Sequence, residues 1–180
     1  MLLELRTYDF APGRALDYLK LFSTEGLPLI TRHLPMAGYW LTEVGALNRI
    51  RHAWIYQDFA ERTARRAKFM DDKEWTQGFL PRGMALIARQ ECQLLDISHT
   101  SAAVQSILEK VGGEIAPLAA GAPFLAEGWI SLRDDVETGD LSGRIVVGEQ
   151  RGERFTFTRE DDPVARGATE ILRPCTFSPV

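Results

Sequence analysis

Two short segments near the start of the chain alternate between polar and apolar residues with the period of a β-strand: Leu3–Tyr8 and His52–Tyr56. In both segments the polar and ring-bearing side chains share one face; they are Glu4, Arg6, Tyr8, His52, Trp54 and Tyr56. If both segments belong to one sheet, we expect helices to cover the opposite, apolar face. The face rich in hydrogen-bonding groups is then either wet surface or the wall of a pocket, and the pattern favours the pocket.

The spacing of apolar residues predicts the order strand, helix, strand, strand, helix, strand for the first half of the chain. Asp58 and Glu61 form a capping box at the start of the second helix. The elements predicted after the first strand are a helix at Arg14–Glu25, strands at Met36–Val44 and Arg49–Gln57, a helix from Phe59 to about Met70, and a strand at Met84–Asp96. This order is typical of the ferredoxin-like βαββαβ unit, so the predicted fold class is α+β.

The second half of the chain has a different pattern. It predicts one helix and four short strands, at Ala102–Val111, Gly128–Arg133, Gly143–Gln150, Glu153–Arg159 and Ala168–Leu172. Because this order does not repeat that of the first half, we divide the chain into a ferredoxin-like domain at residues 1–97 and a β-rich region at residues 98–180.

The composition is that of an ordinary globular protein, with 180 residues of which 45% are hydrophobic and 26% charged. A net charge of −4 argues against a dedicated nucleic-acid-binding protein. Cys92 and Cys175 are too few for a disulfide scaffold and lack metal-ligand spacing. The sequence has no signal-peptide pattern and no apolar run of the roughly 20 residues that a membrane-spanning helix needs. We therefore expect a cytoplasmic protein that does not insert into membranes.

Several short motifs, in order along the first half, resemble the NIPSNAP family over about residues 1–97. The matching segments are Glu4–Tyr8, Pro12–Gly13, Tyr18–Leu19, Phe22, Gly38–Trp40, Glu43–Gly45, Asn48, His52–Tyr56, Glu61–Arg66 and Trp75. The resemblance implies a dimeric α/β-barrel in which two ferredoxin-like sheets face each other. That fold is shared with cofactor-free monooxygenases, isomerases, dehydratases and haem-handling proteins, and the family itself has no settled chemistry. Because the second half lacks a second copy of these motifs, we expect a homodimer to close the barrel.

His52, Arg6 and Tyr8 are the candidate catalytic residues. Imidazole titrates near neutral pH, so His52 could transfer a proton or bind a metal, or it could be hydrogen-bonded to a neighbouring strand. The guanidinium of Arg6 could bind a substrate carboxylate or polarise a carbonyl, or it could form an internal ion pair with Glu4 or Glu91. Tyr8 would help Arg6 to orient an oxygen function of the substrate.

Seven further residues are candidates for substrate binding: Glu4, Trp40, Glu43, Trp54, Tyr56, Arg89 and Glu91. The aromatic members could line a site for a planar ligand or belong to the core. Glu43 could equally face solvent in a hairpin. Alternation along the last strand places either Arg89 and Glu91, or Gln90 and Cys92, on the polar face.

Two further features of the sequence leave alternatives open. We expect no cofactor and no metal, although His33 or His52 could serve as an axial ligand if the protein held haem. One face of the second helix is basic, and such a run is most often solvated; it could also bind phosphate. Its members are Arg62, Arg65, Arg66 and Lys68.

Two functions follow from these features. The first is a protein that binds or transforms a small hydrophobic or aromatic molecule without a dissociable cofactor, in the manner of a monooxygenase or isomerase. The alternative is a non-catalytic dimeric scaffold or protein-interaction module. The scaffold predicts a polar cluster that is fully paired internally and leaves no room for a ligand.

Overall fold

In the computed structural model, which describes residues 1–134, 139–162 and 167–180, eight antiparallel strands form a closed barrel. Their order around the barrel is β1–β3–β2–β8–β5–β7–β6–β4. The strands are β1 (Leu2–Phe10), β2 (Met36–Val44), β3 (Arg49–Tyr56), β4 (Ile87–Thr100), β5 (Trp129–Asp134), β6 (Leu141–Val147), β7 (Arg154–Glu160) and β8 (Glu170–Pro174).

The first half follows the predicted order of strands and helices. The helices between β1 and β2 are α1 (Arg14–Leu21), a π-helical turn (Phe22–Gly26) and α2 (Leu27–Thr31). Those between β3 and β4 are α3 (Phe59–Met70), a second π-helical turn (Glu74–Phe79) and α4 (Leu80–Met84). The predicted cap of α3 is confirmed, because the Asp58 carboxylate accepts a hydrogen bond from the Glu61 amide at 2.8 Å. Among the described residues, no helix is long and apolar enough to cross a membrane.

The second half of the chain completes the barrel. Its four predicted strands are observed, together with a helix, α5 (Ala102–Leu108). They join the first half at two seams, where β4 pairs with β6 and β2 pairs with β8. Closing this barrel therefore requires no second copy, since the β-rich half occupies the place that the resemblance assigned to a partner's sheet. That the chain forms a homodimer remains a prediction.

The two faces of the sheet are arranged opposite to our prediction. The apolar face of β1, with Leu3 and Leu5, points into the barrel and packs against residues of the second half such as Leu132 and Phe157. The polar and aromatic face lies under the helices, where Trp54 and Tyr56 pack with residues of α1. The expectation that helices cover the apolar face is therefore wrong. The reason is that apolar residues from both halves fill the barrel as one core.

Trp40 belongs to this barrel core rather than to the polar face. Its ring stacks on Phe157 with centroids 5.1 Å apart, and its indole N–H donates to the backbone oxygen of Val180 at 2.9 Å. The β2–β3 register shifts between Met36 and Gly38, and a Cβ atom at Gly38 would overlap the Trp40 ring. Gly38 therefore marks the close approach that its position in the strand suggested.

Candidate functional site

The six polar and aromatic residues predicted to share a face do come together. Arg6 lies directly opposite His52 in the antiparallel β1–β3 pair, and Glu4 lies opposite Trp54. Directly opposed side chains on one face of an antiparallel pair are in contact range. Because helix α3 covers this face, the residues are enclosed between the sheet and the helix layer. We call Glu4, Arg6, Tyr8, His52, Trp54 and Tyr56 the helix-side cluster.

His52 is buried at the centre of this cluster, with 3% of its surface exposed. Its Nδ1 atom accepts a hydrogen bond from the Trp54 indole N–H at 2.8 Å. The ring stacks on Tyr39 with centroids 4.9 Å apart, and Tyr8 meets it edge-on at 4.7 Å. Burial, together with the positive charges of Arg6 and Arg66, holds the pKa of His52 well below its usual value. The imidazole is therefore neutral at physiological pH.

Glu4 is the charged anchor of the cluster and is fully buried. It accepts hydrogen bonds from Arg62 Nε at 2.6 Å, Arg66 Nε at 2.9 Å and Arg6 Nη1 at 3.2 Å. Burial opposes the charged form, but Arg66, Arg62 and Arg6 outweigh it and lower the pKa of this carboxyl. Glu4 is thus ionised. The sequence left an ion pair with Glu4 as one of two alternatives for Arg6, and that ion pair is observed.

The basic face of α3 is partly used inside the protein. Arg62 and Arg66 contact buried Glu4, while Arg65 pairs with Glu61 one turn away at 2.7 Å. The expectation of a solvated basic face is therefore wrong for Arg62 and Arg66. Both are only about one-fifth exposed, with 19% and 21% of the side chain accessible.

Arg6 has unused hydrogen-bonding capacity. Its Nη2 group donates to Gln90 Oε1 at 3.0 Å, and its guanidinium carbon lies 5.7 Å from the centre of the Tyr8 ring. Its Nε–H, however, is buried without an acceptor among the described residues. The same is true of His52 Nε2 across the strand pair. Burial also raises the pKa of Tyr56 to about 12, so that its phenol stays protonated.

Two tyrosines that the sequence did not indicate pack against the cluster. Tyr39 lies opposite His52 in the β2–β3 pair and stacks on its ring. The hydroxyl of Tyr39 donates to that of Tyr18 at 3.5 Å, and the Tyr18 ring meets Tyr8 at 6.1 Å. Alternation along β2 could have identified Tyr39, because it occupies the face opposite to Trp40.

Strand β4 places Gln90 and Cys92 beside the cluster, which was one of the two alternatives that alternation left open. Cys92 Sγ donates to Glu4 Oε1 at 3.5 Å, and burial raises the pKa of this thiol. Arg89 and Glu91 lie instead at the mouth of the barrel, where they line a separate cavity of about 300 Å³. The other alternative, in which Arg89 and Glu91 share the polar face with His52, is therefore wrong.

The remaining candidates are also separate from the cluster. Trp40 lies in the barrel core, and Glu43 pairs with Arg173 of β8 at 3.6 Å. His33 Nε2 is 2.9 Å from a carboxylate oxygen of Asp72. Across residues 1–134, 139–162 and 167–180, no group of three His, Cys, Asp or Glu side chains is placed to hold a metal ion.

Comparison with known proteins gives two kinds of match. The family model described as NIPSNAP matches residues 3–102. Mouse NipSnap homolog 3B is 40% identical over 92 residues, which are 51% of this chain and 37% of that protein. The chain thus spans little more than a third of the length of the curated relatives it matches. An uncharacterised NIPSNAP domain protein from Burkholderia xenovorans is 34% identical, with a TM-score of 0.54 over 56% of this chain and 98% of its own.

A different solved structure matches nearly the whole barrel. It is described as an anthrone oxidase-like protein, and it covers 97% of this chain and 91% of its own with a TM-score of 0.52. Its sequence identity is 6%, so this likeness shows a shared fold and nothing more. The first half of the chain is thus similar to solved NIPSNAP domain proteins, whereas the eight-stranded whole shares its fold with the anthrone oxidase-like protein.

Proposed function

This chain belongs to the NIPSNAP family, and we propose that it binds a small hydrophobic or aromatic molecule at the helix-side cluster. In the proposal the ligand lies between the sheet and the helices, beside Arg6, Tyr8 and His52. The protein would act on it with its own side chains and without a dissociable cofactor, in the manner of a monooxygenase or isomerase.

One observation supports this proposal above the others: the cluster contains three buried polar groups that lack a hydrogen-bond partner among the described residues. They are Arg6 Nε, His52 Nε2 and the Tyr56 hydroxyl, and the first two belong to directly opposed residues of β1 and β3. A buried polar group left unsatisfied costs about 1–3 kcal/mol, so each would be stabilised by a polar atom of a ligand. A scaffold without a ligand would be expected to pair these groups internally.

The margin of the cluster is accessible to solvent, which suits ligand entry. The Arg6 side chain is 20% exposed, and Tyr8 is half-buried beside it. We propose that a ligand enters at this margin by displacing the Tyr8 ring, which is held there by edge contacts with His52 and Tyr18. The aromatic surroundings favour a planar molecule, since ring pairs add about 0.5–1.5 kcal/mol beyond the area that they bury.

The first probe to test is anthrone, because one of the solved structures that match nearly the whole chain is described as anthrone oxidase-like. We would add anthrone to the purified protein and follow tryptophan fluorescence, since Trp54 lies in the cluster, together with oxygen uptake. Saturable quenching is the expected result. The Arg6→Met variant is expected to bind about tenfold more weakly, a loss of about 1.4 kcal/mol.

Arg89→Met is the matched control, because it removes a guanidinium from the barrel mouth, away from the cluster. It is expected to leave binding unchanged. The proposal would be contradicted if neither anthrone nor simpler phenols bound saturably, or if the two variants weakened binding equally.

A further inference from the structure

The hydrogen bond between Trp54 and His52 determines which nitrogen of the imidazole carries the proton. An indole N–H can only donate, so the atom 2.8 Å from it, His52 Nδ1, must be the acceptor and therefore has no proton. Because the buried ring is neutral, its single proton is on Nε2. His52 thus presents an N–H donor, rather than a lone pair, at the atom that lacks a partner.

The His52 ring is also held in one orientation. Tyr39 stacks against the imidazole ring at an interplanar angle of 17°. Tyr8 contacts it edge-on, with 74° between the two ring planes. Rotation about the side-chain bonds would break the Trp54 hydrogen bond and both ring contacts. The direction of the Nε2–H group is therefore set by the protein before any ligand binds, which lowers the cost of binding.

The charges around His52 favour an anion. Arg6, Arg62 and Arg66 surround the single carboxylate of Glu4, so three positive charges face one negative charge. Arg6 Nε also lacks a partner among the described residues, and it is likewise a donor that cannot accept a hydrogen bond. A ligand that satisfies both groups must therefore supply acceptor atoms, and a negative charge on them is stabilised.

We propose that Trp54 is a positioning residue that locks His52 as an Nε2–H donor, and that Arg6 and His52 together bind the oxyanion of a phenol or an enolisable ketone. This inference rests on the proposed function and narrows its ligand class. It gives His52 a role different from proton transfer, which was one of the alternatives that the sequence left open: the imidazole stabilises negative charge on the ligand oxygen.

The first test measures the tautomer without any ligand. Long-range correlation of ring protons with ¹⁵N in histidine-labelled, full-length protein distinguishes a protonated ring nitrogen from a bare one. We expect a bare Nδ1 and a protonated Nε2 in the wild-type protein, and a shift toward the other tautomer in Trp54→Phe. Trp129→Phe, at a partly exposed site, is the matched control and should leave the spectrum of His52 unchanged. A protonated Nδ1 in the wild-type protein would overturn the inference even if Trp54→Phe did not fold.

The second test compares three probes of similar shape: 2-naphthol, naphthalene and the cation 2-naphthylmethylammonium. We expect 2-naphthol to bind at least tenfold more tightly than either of the others. Its absorption should show the naphtholate form at a pH where free naphthol is neutral. Trp54→Phe should reduce this preference about tenfold, whereas Trp129→Phe should preserve it.

The outcomes separate this inference from the function on which it rests. If naphthalene bound as tightly as 2-naphthol, a small-molecule site would stand and the oxyanion site would be refuted. If the cation bound best, the charge argument would be refuted in the same way. If no probe bound and anthrone also failed, the proposed function and this inference would fall together.

Discussion

Removing the charge of Glu4 tests whether the helix-side cluster is held together by its buried carboxylate. Three arginines donate to this carboxylate, and each of their side chains is about one-fifth exposed. Glu4→Gln keeps the shape of the side chain but leaves the guanidinium groups facing a neutral amide. Removing one partner of a buried ion pair typically costs 3–5 kcal/mol. Because these arginines can turn partly toward solvent, we expect the lower end, about 3 kcal/mol of the free energy of unfolding.

Urea denaturation measures this change as a shift of the midpoint at constant slope. Glu25→Gln is the matched control, since Glu25 pairs with Arg82 on the surface, where both side chains are about half exposed. Exposed pairs contribute about 0–1 kcal/mol, so this variant should stay close to the wild type. The reasoning would be refuted if Glu4→Gln destabilised the protein by no more than Glu25→Gln.

Two further predictions concern pH and packing. The pKa of folded His52 lies well below the unfolded value of 6.5, so the unfolded state binds more protons, and stability should fall as pH drops below about 6.5. This group changes the free energy of unfolding by at most about 1.4 kcal/mol per pH unit. In urea denaturation between pH 7 and pH 5, the free energy of unfolding of His52→Phe should therefore depend less on pH than that of the wild type. An equal dependence would contradict the argument from burial. Gly38→Ala places a methyl group on the Trp40 ring and should lower the free energy of unfolding by about 1–3 kcal/mol or more, measured by thermal unfolding. Gly78→Ala is the control, because the added atom meets nothing within 4 Å there. Equal effects of the two alanine substitutions would show that the Trp40 ring can move to accommodate the added methyl group.

The elements of the first half were predictable because each is specified by local pattern. β2 has the predicted bounds, and α3 begins after the predicted cap. β4 continues to Thr100, beyond the predicted end at Asp96, because its last residues pair with β6 of the second half. Such pairing joins segments about 45 residues apart, and no local pattern encodes it. The short strands of the second half could be recognised for the same local reasons, whereas their place in the barrel could not.

The candidate site was predictable in its membership but not in its surroundings. A period of two shows that Arg6 and Tyr8 share a face, and the register of β1 with β3 then brings His52 to them. The same period cannot show which face the helices cover, so the cluster was placed inside the barrel instead of under α3. The sequence also could not predict that His52 accepts a hydrogen bond from Trp54, because this bond depends on the orientation of two side chains within one strand.

Closure of the ring by its own chain has a consequence for how the protein forms. The β2–β8 seam joins residues near position 41 to residues near position 173, so the barrel stays open until β8 has left the ribosome. Before the second half is made, the outer strands β2 and β4 lack neighbours on one side, and Leu3, Leu5 and Trp40 face water; β4 gains β6 first, and β2 waits for β8. Contacts so distant along the chain slow folding and prolong exposure of unpaired strands. A nascent chain of this design therefore keeps the β2–β8 seam open to competing partners for more than a hundred residues of synthesis, until β8 emerges.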